Sequence, residues 1–309
     1  MIKLNQLNKY YNKNKQQEIH VINDISLTLP EKGLVMLLGP SGSGKTTLLN
    51  VMSGLDKLSS GTVQVDETVL KRYKASKWDH IRNLDIGYIF QNYYLLPDMT
   101  VYENIALTLK MTGLTDEQAI TDRIEYLLAQ VNMENYKNRR ASQLSGGQMQ
   151  RVAIVRALAK NPKIIIADEP TGNLDSKNTL DIMEMLKAIA KEKLVIMVTH
   201  EEELARYYAD RIIRVKDGSI LNDSENTESG QLDYYDDSDI YLKDLNKLKD
   251  MDDESLKLDY YSDQDKSDKV EAKLILKNQT LYISVDEKRY KKVRLLNESS
   301  DTKIHDAHQ

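Results

Sequence analysis

The sequence predicts an α/β fold whose parallel β-sheet carries a phosphate-binding loop. Short, unbroken apolar runs recur at residues 33–39 (GLVMLLG), 85–90 (DIGYIF), 163–168 (KIIIAD) and 194–200 (LVIMVTH). Strands covered on both faces read this way, whereas half-exposed strands alternate apolar and polar residues. Helical patterns lie between these runs. The glycine-rich stretch GPSGSGKTT at 39–47 follows the first run directly, so a strand enters a loop that opens a helix.

Residues 1–30 read as short strands around a polar, lysine-rich loop, and residues 45–54 as the helix after the glycine loop. Residues 98–160 have helical patterning throughout and interrupt the strands, as an inserted helical subdomain would. A helix starting near Gln148 must end at Asn161-Pro162, because proline lacks the N–H that would continue it. The glycines of QLSGGQMQR (143–151) then stand at that helix's N-terminus. A helix over 176–191 places Leu180, Met183, Leu186 and Ile189 on one face. Residues 211–221 form a hairpin turning at Asp217-Gly218.

The character changes after residue 222. Residues 222–269 hold 16 acidic and 6 basic residues, the composition of a solvated linker with at most a short helix at 240–251. Alternation returns over 270–296. Ala272, Leu274 and Leu276, then Leu281, Ile283 and Val285, suggest a three-stranded meander turning at Asn278-Gln279.

Bulk properties narrow the function. The chain has 309 residues, 43 basic against 48 acidic, and a net charge of −5, which gives no reason to expect nucleic-acid binding. It has no cysteine, which excludes disulfides, thiolate metal sites and cysteine nucleophiles. The N-terminus is too polar for a signal peptide, and the apolar runs fall far short of a membrane span. A soluble chain is expected, with membrane association through a partner.

Four groups of residues carry chemistry. In the glycine loop, Gly39 and Gly44 let backbone N–H groups approach phosphates. Lys45 supplies a point charge, and the Thr46 hydroxyl suits Mg²⁺. Pro40 shapes the loop without donating. Asp168 and Glu169 end an apolar strand level with that loop. Such a pair is ordinarily a helix cap, but beside a phosphate loop it suits a cation (Asp168) and a water-polarising carboxylate (Glu169). His200 and Gln91 each follow a strand in the same way; each alone is as consistent with a structural role. Tyr11 could stack on a base or simply pack.

These motifs, in this order over residues 1–222, resemble the ATP-binding subunit of an ABC transporter. The stretch LSGGQ at 144–148, the D-loop GNLD at 172–175 and the switch histidine His200 complete the set. Longer runs such as IGYIFQNYYLLPDMTVYENI and SQLSGGQMQRVAIVRALAKNPKIIIADEPTGNLD are similar to the branch serving lipoprotein export, macrolide and peptide export, and the cell-division ATPase. The resemblance implies a P-loop NTPase fold with an antiparallel β subdomain beside the helical one. It implies ATP contacts at Tyr11, Gly39, Ser41, Gly42, Ser43, Gly44, Lys45, Thr46, Thr47 and Gln91. Mg²⁺ would be held by Thr46, Gln91 and Asp168, and catalysis would fall to Glu169 and His200. It also implies an ATP-bound homodimer. Ser145, Gly146, Gly147 and Gln148 of one copy would close over the other copy's ATP, with Asp175 at the D-loop between them.

The implied partner is a membrane permease with a large extracytoplasmic domain, contacted through Tyr93, Tyr94, Leu95 and Leu96 unless these pack internally. The implied place is the cytoplasmic side of the plasma membrane. Two activities stay open: export or extraction of a substrate, and mechanical signalling to cell-envelope enzymes or resistance sensing without transport. A DNA-repair or translation protein is disfavoured, since the chain lacks a long coiled-coil insertion and a second cassette. The extension beyond the core domain, acidic linker and meander together (223–309), resembles the segment joining ATPase to permease where some Gram-positive relatives carry both on one chain, so the permease is either separate or fused downstream.

Overall fold

In a computed structural model, the described residues are 1–13, 17–227 and the strands 240–241, 246–252, 257–262, 272–277, 280–285 and 304–305. The chain divides into two compact units, Met1–Asp233 and Tyr234–Gln309.

The first unit contains two sheets. Strands β1 (Ile2–Tyr11), β2 (Ile19–Thr28), β4 (Ser60–Val65) and β5 (Thr68–Leu70) form an antiparallel sheet in the order β2-β1-β4-β5. The second sheet contains β3 (Gly33–Leu38), β6 (Ile86–Ile89), β7 (Ile164–Asp168), β8 (Leu194–Thr199), β9 (Arg211–Lys216) and β10 (Ser219–Glu225). Its order is β10-β9-β3-β8-β7-β6, parallel except for the β9–β10 hairpin. That hairpin turns at Asp217 and Gly218, with φ of 48° and 74°, the left-handed pair a tight right-twisted turn requires.

Helix α1 (Lys45–Met52) touches β2 of one sheet and β7 and β8 of the other. Its Leu48, Leu49 and Met52 are fully buried in a core that also takes Ile2, Leu4, Leu37, Ile166 and Ile196. The flanking glycine packs against helix α2 (Ala75–Leu84), whose Trp78 is buried at 1% exposure. Gly54 has φ of 69°, and a Cβ there would lie 2.0 Å from Trp78 Cδ2.

The helical subdomain comprises α3 (Val101–Met111), α4 (Glu117–Gln130) and α5 (Gly146–Leu158), with 3₁₀ turns at Glu134–Tyr136 and Ala141–Gln143. Thr100 caps α3 in a reciprocal box with Glu103, and Asp116 caps α4. These helices share their own core, including Val101, Ile105, Ile120, Ile124, Val152 and Val155. Helix α5 also packs on β6 and on α6 (Ser176–Ala190), which ties subdomain to sheet.

Several expectations need correction. Residues 98–160 are three helices and two 3₁₀ turns, and α5 starts at Gly146, two residues before Gln148. The α6 face is rotated. Thr179, Ile182, Met183, Leu186 and Ala190 are buried, whereas Leu180 and Ile189 are half-buried. Strands β4 and β5 and helices α2 and α7 (Glu202–Tyr208) went unforeseen.

In the second unit, β11 (Ile240–Tyr241) pairs in parallel with β16 (Ile304–His305). Strand β12 (Asn246–Asp252) pairs antiparallel with β13 (Lys257–Ser262), and β14 (Ala272–Lys277) with β15 (Thr280–Val285). A hairpin therefore lies within the segment expected to be an acidic linker with at most a short helix. Its register sets Lys247 opposite Tyr261 and Lys249 opposite Tyr260, where aromatic strand propensity outweighs the acidic composition. The β14–β15 pairing closes with Lys277 opposite Thr280, and the expected turn at Asn278-Gln279 lies outside the described residues. The third strand of the expected meander lies outside the described residues.

Gly54→Ala should destabilise the first unit by at least about 2 kcal/mol, through both backbone strain and the clash with Trp78. Trp78 is the only tryptophan, so its fluorescence during denaturant unfolding reads the change directly.

Candidate nucleotide site

Strand register builds the site. Parallel pairing sets Leu38 beside Thr199, Val198 beside Asp168, and Ala167 beside Ile89. The residues one or two positions further on, Gly39, His200, Glu169 and Gln91, therefore line up along the C-terminal edge of β3, β8, β7 and β6. That edge is where open α/β sheets bind ligands.

The glycine loop is held open by close backbone approach. A Cβ on Gly39 would lie 2.1 Å from the Val215 carbonyl oxygen, and one on Gly44 would lie 2.8 Å from that of Val21. Gly42 and Gly44 have φ of 79° and 96°. Gly44 is also the N-cap of α1 and offers no side-chain cap, so the first-turn N–H groups stay available to an anion. Lys45 folds back across the loop. Its Nζ donates to the carbonyls of Gly39 at 2.7 Å and Pro40 at 2.8 Å. Burial lowers the Lys45 ammonium from its ordinary value, while Glu169 and Asp168 oppose that shift. Ser43 is buried, and Ser41, Thr46 and Thr47 follow along the same loop and first turn.

Thr46 Oγ1 donates to Asp168 Oδ1 at 3.1 Å. Burial raises the Asp168 carboxyl above the usual carboxylate range; the Thr46 hydrogen bond opposes this, Glu169 adds to it and Lys45 opposes it. A hydroxyl and a carboxylate in contact are hard oxygen donors of the kind Mg²⁺ takes with waters and phosphate. Among the described residues, no group of three His, Asp or Glu side chains could hold a metal unaided.

Glu169 has a left-handed backbone, φ 45°, uncommon for a non-glycine residue and frequent where strain serves a site. Its amide donates to Val198 O at 3.1 Å, and its Oε1 lies 3.5 Å from His200 Nδ1. A Cβ on Gly172 would stand 3.0 Å from Gln91 Nε2 and 3.7 Å from Glu169 Oε2, so both side chains border the same glycine.

Tyr11 lies beside the loop. Its hydroxyl donates to Asp56 Oδ2 at 2.7 Å, and Lys9 Nζ sits 4.6 Å from its ring centroid while donating to Asp56 Oδ1 at 2.6 Å. One ring face is thus covered by an ammonium. Asp56 and Lys9 carried no motif that sequence reading could have used.

The second cradle is a helix N-terminus. Ser145 caps α5 in a reciprocal box: its Oγ accepts from Gln148 N at 3.4 Å, and its N–H donates to Gln148 Oε1 at 3.0 Å. Gly147 sits against α6, where a Cβ would lie 2.3 Å from Asn178 Oδ1; a Cβ on Gly146 would lie 3.2 Å from the Tyr93 hydroxyl. Asn178 in turn donates to Asp175, the N-cap of α6, at 2.8 and 3.0 Å. The aromatic segment divides: Tyr94 (63%) and Leu96 (44%) are exposed, while Tyr93 and Leu95 are half-buried and Leu95 packs on the helical core.

Comparison with known proteins agrees with this construction. A family model described as "ABC transporter" matches residues 22–172. The lipoprotein-releasing system ATP-binding protein LolD 1 of Rhodopseudomonas palustris is 38% identical over 222 residues, covering 71% of this chain and 98% of its own. The ABC transporter ATP-binding protein MJ0796 of Methanocaldococcus jannaschii is 42% identical over 225 residues, covering 71% and 95%. The macrolide export ATP-binding/permease protein MacB of Psychrobacter cryohalolentis is 42% identical over 214 residues, 69% of this chain and 32% of its own. The present chain thus spans about a third of that relative. A dimeric structure of MJ0796 bound to ADP and Pi superposes with a TM-score of 0.67 at 38% identity, covering 73% of this chain and 98% of that one. The chain belongs to the ABC transporter ATP-binding family, in the branch that includes LolD and MacB, and it is an ATPase.

The Asp168 carboxyl sets a pH test. A carboxyl whose folded pKa is raised costs stability when ionised, so the cost is full above the folded pKa and vanishes below the unfolded one. Asp168→Asn should therefore stabilise the nucleotide-free protein at neutral pH. The gain should fade as pH falls toward the ordinary value of 3.8. Denaturant unfolding of both proteins across that range measures it; a gain independent of pH would count against the burial argument.

Proposed function

We propose that this ATPase works as a head-to-tail homodimer around two ATP molecules and drives a membrane permease for export or extraction of a substrate. The observation that carries the reading is the pair of cradles. The glycine loop and the Asp168–Glu169–His200 row share one sheet edge, while residues 145–147 present a second anion-binding helix N-terminus that the chain's own phosphate loop leaves without a task. Dimeric MJ0796 structures lend support, as do relatives named for lipoprotein release and macrolide export.

In this reading the backbone N–H groups of residues 39–47 enclose the phosphates, and Lys45 exchanges its carbonyl partners for β- and γ-phosphate oxygens. Tyr11 offers its uncovered face to the base. Thr46, Asp168 and Gln91 would hold Mg²⁺, which would supply positive charge against the β- and γ-phosphates. Glu169 accepts the proton of the attacking water as its oxygen bonds to the γ-phosphorus and the bond from that phosphorus to the bridging oxygen breaks, releasing ADP, and His200 orients the γ-phosphate beside it. Ser145, Gly146, Gly147 and Gln148 close over the partner's ATP, where the α5 dipole favours negative charge, and Asp175 stands at the junction.

The ATP-binding domain expected over residues 1–222 extends at least to Glu225, the last residue of β10, with the helical subdomain at about 98–160. The residues beyond it contribute no catalytic group. The permease would seat against a groove of about 350 Å³ lined by Phe90, Tyr94, Leu96, Leu107 and Met111, placing the ATPase on the cytoplasmic face of the membrane. No helix among the described residues is long and apolar enough to cross a membrane.

Glu169→Gln keeps side-chain shape and removes the proton acceptor. It should slow hydrolysis by about 100-fold or more while leaving ATP binding intact, so that ATP traps a dimer visible by size-exclusion chromatography. Turnover near that of the unsubstituted protein would remove Glu169 from the catalytic role.

A further inference from the structure

The segment that follows Gln91 is held in an unusual backbone. Tyr93 and Tyr94 have φ of 58° and 47°, two successive non-glycine residues in the left-handed region. Such residues persist only where the surroundings over-determine them. The local hydrogen bonds, Tyr93 N to Phe90 O at 3.2 Å and Tyr94 N to Asn92 O at 2.5 Å, close a tight turn but do not reach the carbonyls of the two tyrosines.

Those carbonyls are taken by one side chain. Arg156 of α5 donates from Nη2 to Tyr93 O at 2.7 Å and from Nη1 to Tyr94 O at 2.5 Å. Burial lowers the Arg156 guanidinium from its ordinary value, and among the described residues it forms no ion pair, so these two carbonyls are what offset its desolvation. The fork geometry matters here, because a planar guanidinium fixes two acceptors at once. The start of the segment is held separately: Asn173 Nδ2 donates to Gln91 O at 3.2 Å and to Asn92 Oδ1 at 3.3 Å.

We propose that Arg156 is a positioning residue of this ATPase: by holding the Tyr93 and Tyr94 carbonyls it fixes two left-handed residues and thereby where Gln91 stands against Glu169 and Gly172. Arg156 touches no nucleotide and acts through the backbone. Because it rides on α5, whose first turn is residues 146–149, a shift of the second cradle is carried mechanically into the segment that ends at Gln91. This deepens the reading above and rests on its assignment of Gln91 to the γ-phosphate end of the site.

Arg156→Lys keeps charge and length but replaces the fork with a single flexible ammonium. It should lower kcat on the order of tenfold with KM for ATP changed less than about threefold. Structural damage alone would do the same in any background, so the deciding comparison is made in Tyr94→Gly. Glycine adopts positive φ without strain, and the loss from Arg156→Lys should then shrink to under about threefold. An equal loss in both backgrounds, or a loss confined to KM, would overturn the proposal. Trp78 fluorescence checks the fold, and Arg156→Gln, which retains one planar donor group, replaces the lysine variant if that one unfolds. Trapping of a dimer by Glu169→Gln with ATP reports on the underlying reading independently of either result.

Discussion

Parallel pairing of β3, β8, β7 and β6 is the constraint from which the site follows. Strands that run the same way end at the same edge, so four sequence-distant residues become neighbours through backbone hydrogen bonds alone. A slip of one residue in any of these pairings would turn the strand's side chains to the other face and separate Asp168 from Thr46. The register is protected because Leu37, Ile166 and Ile196 are fully buried. The core that stabilises the fold is thus also what aligns the chemistry.

Around that edge lie several instances of left-handed backbone and close approach. Glu169, Tyr93 and Tyr94 are left-handed without being glycines, Gly39 and Gly147 sit where a side chain would collide with a neighbour, and Gly146 lies closely against the Tyr93 hydroxyl. The glycines of the second cradle therefore do two things. They expose N–H groups at the start of α5, and they let α5 lie against Tyr93 on one side and Asn178 on the other. The coupling segment, the D-loop and the second cradle meet in one small region, where a displacement of one moves the others.

The sequence made legible whatever depends on local pattern. Unbroken apolar runs marked the parallel strands, Gly39 to Thr47 marked the loop, and Asp217-Gly218 marked a hairpin. What escaped depends on residues far apart in the chain. Arg156 and Tyr94 are separated by 62 positions and Lys9 and Asp56 by 47, and no periodicity links them. Helix α2 buries only Trp78 and Ile81, too few to show a stripe. The β12–β13 hairpin was hidden by acidic composition, since two tyrosines and two leucines supply its strand propensity within a run that reads as linker. The face of α6 was misplaced because Ala190 and Thr179 pack closely without advertising themselves as core.

The central claim is that each ATP is enclosed by the phosphate loop of one copy and the second cradle of another. Ser145→Arg should abolish hydrolysis while leaving nucleotide affinity little changed, and Lys45→Ala should weaken binding at the chain's own loop. Mixing the two inactive proteins tests the claim most directly. A heterodimer then retains one intact composite site, so ATPase activity should reappear and peak near an equimolar mixture. Absence of activity at every ratio, with heterodimers verified by crosslinking, would contradict the account.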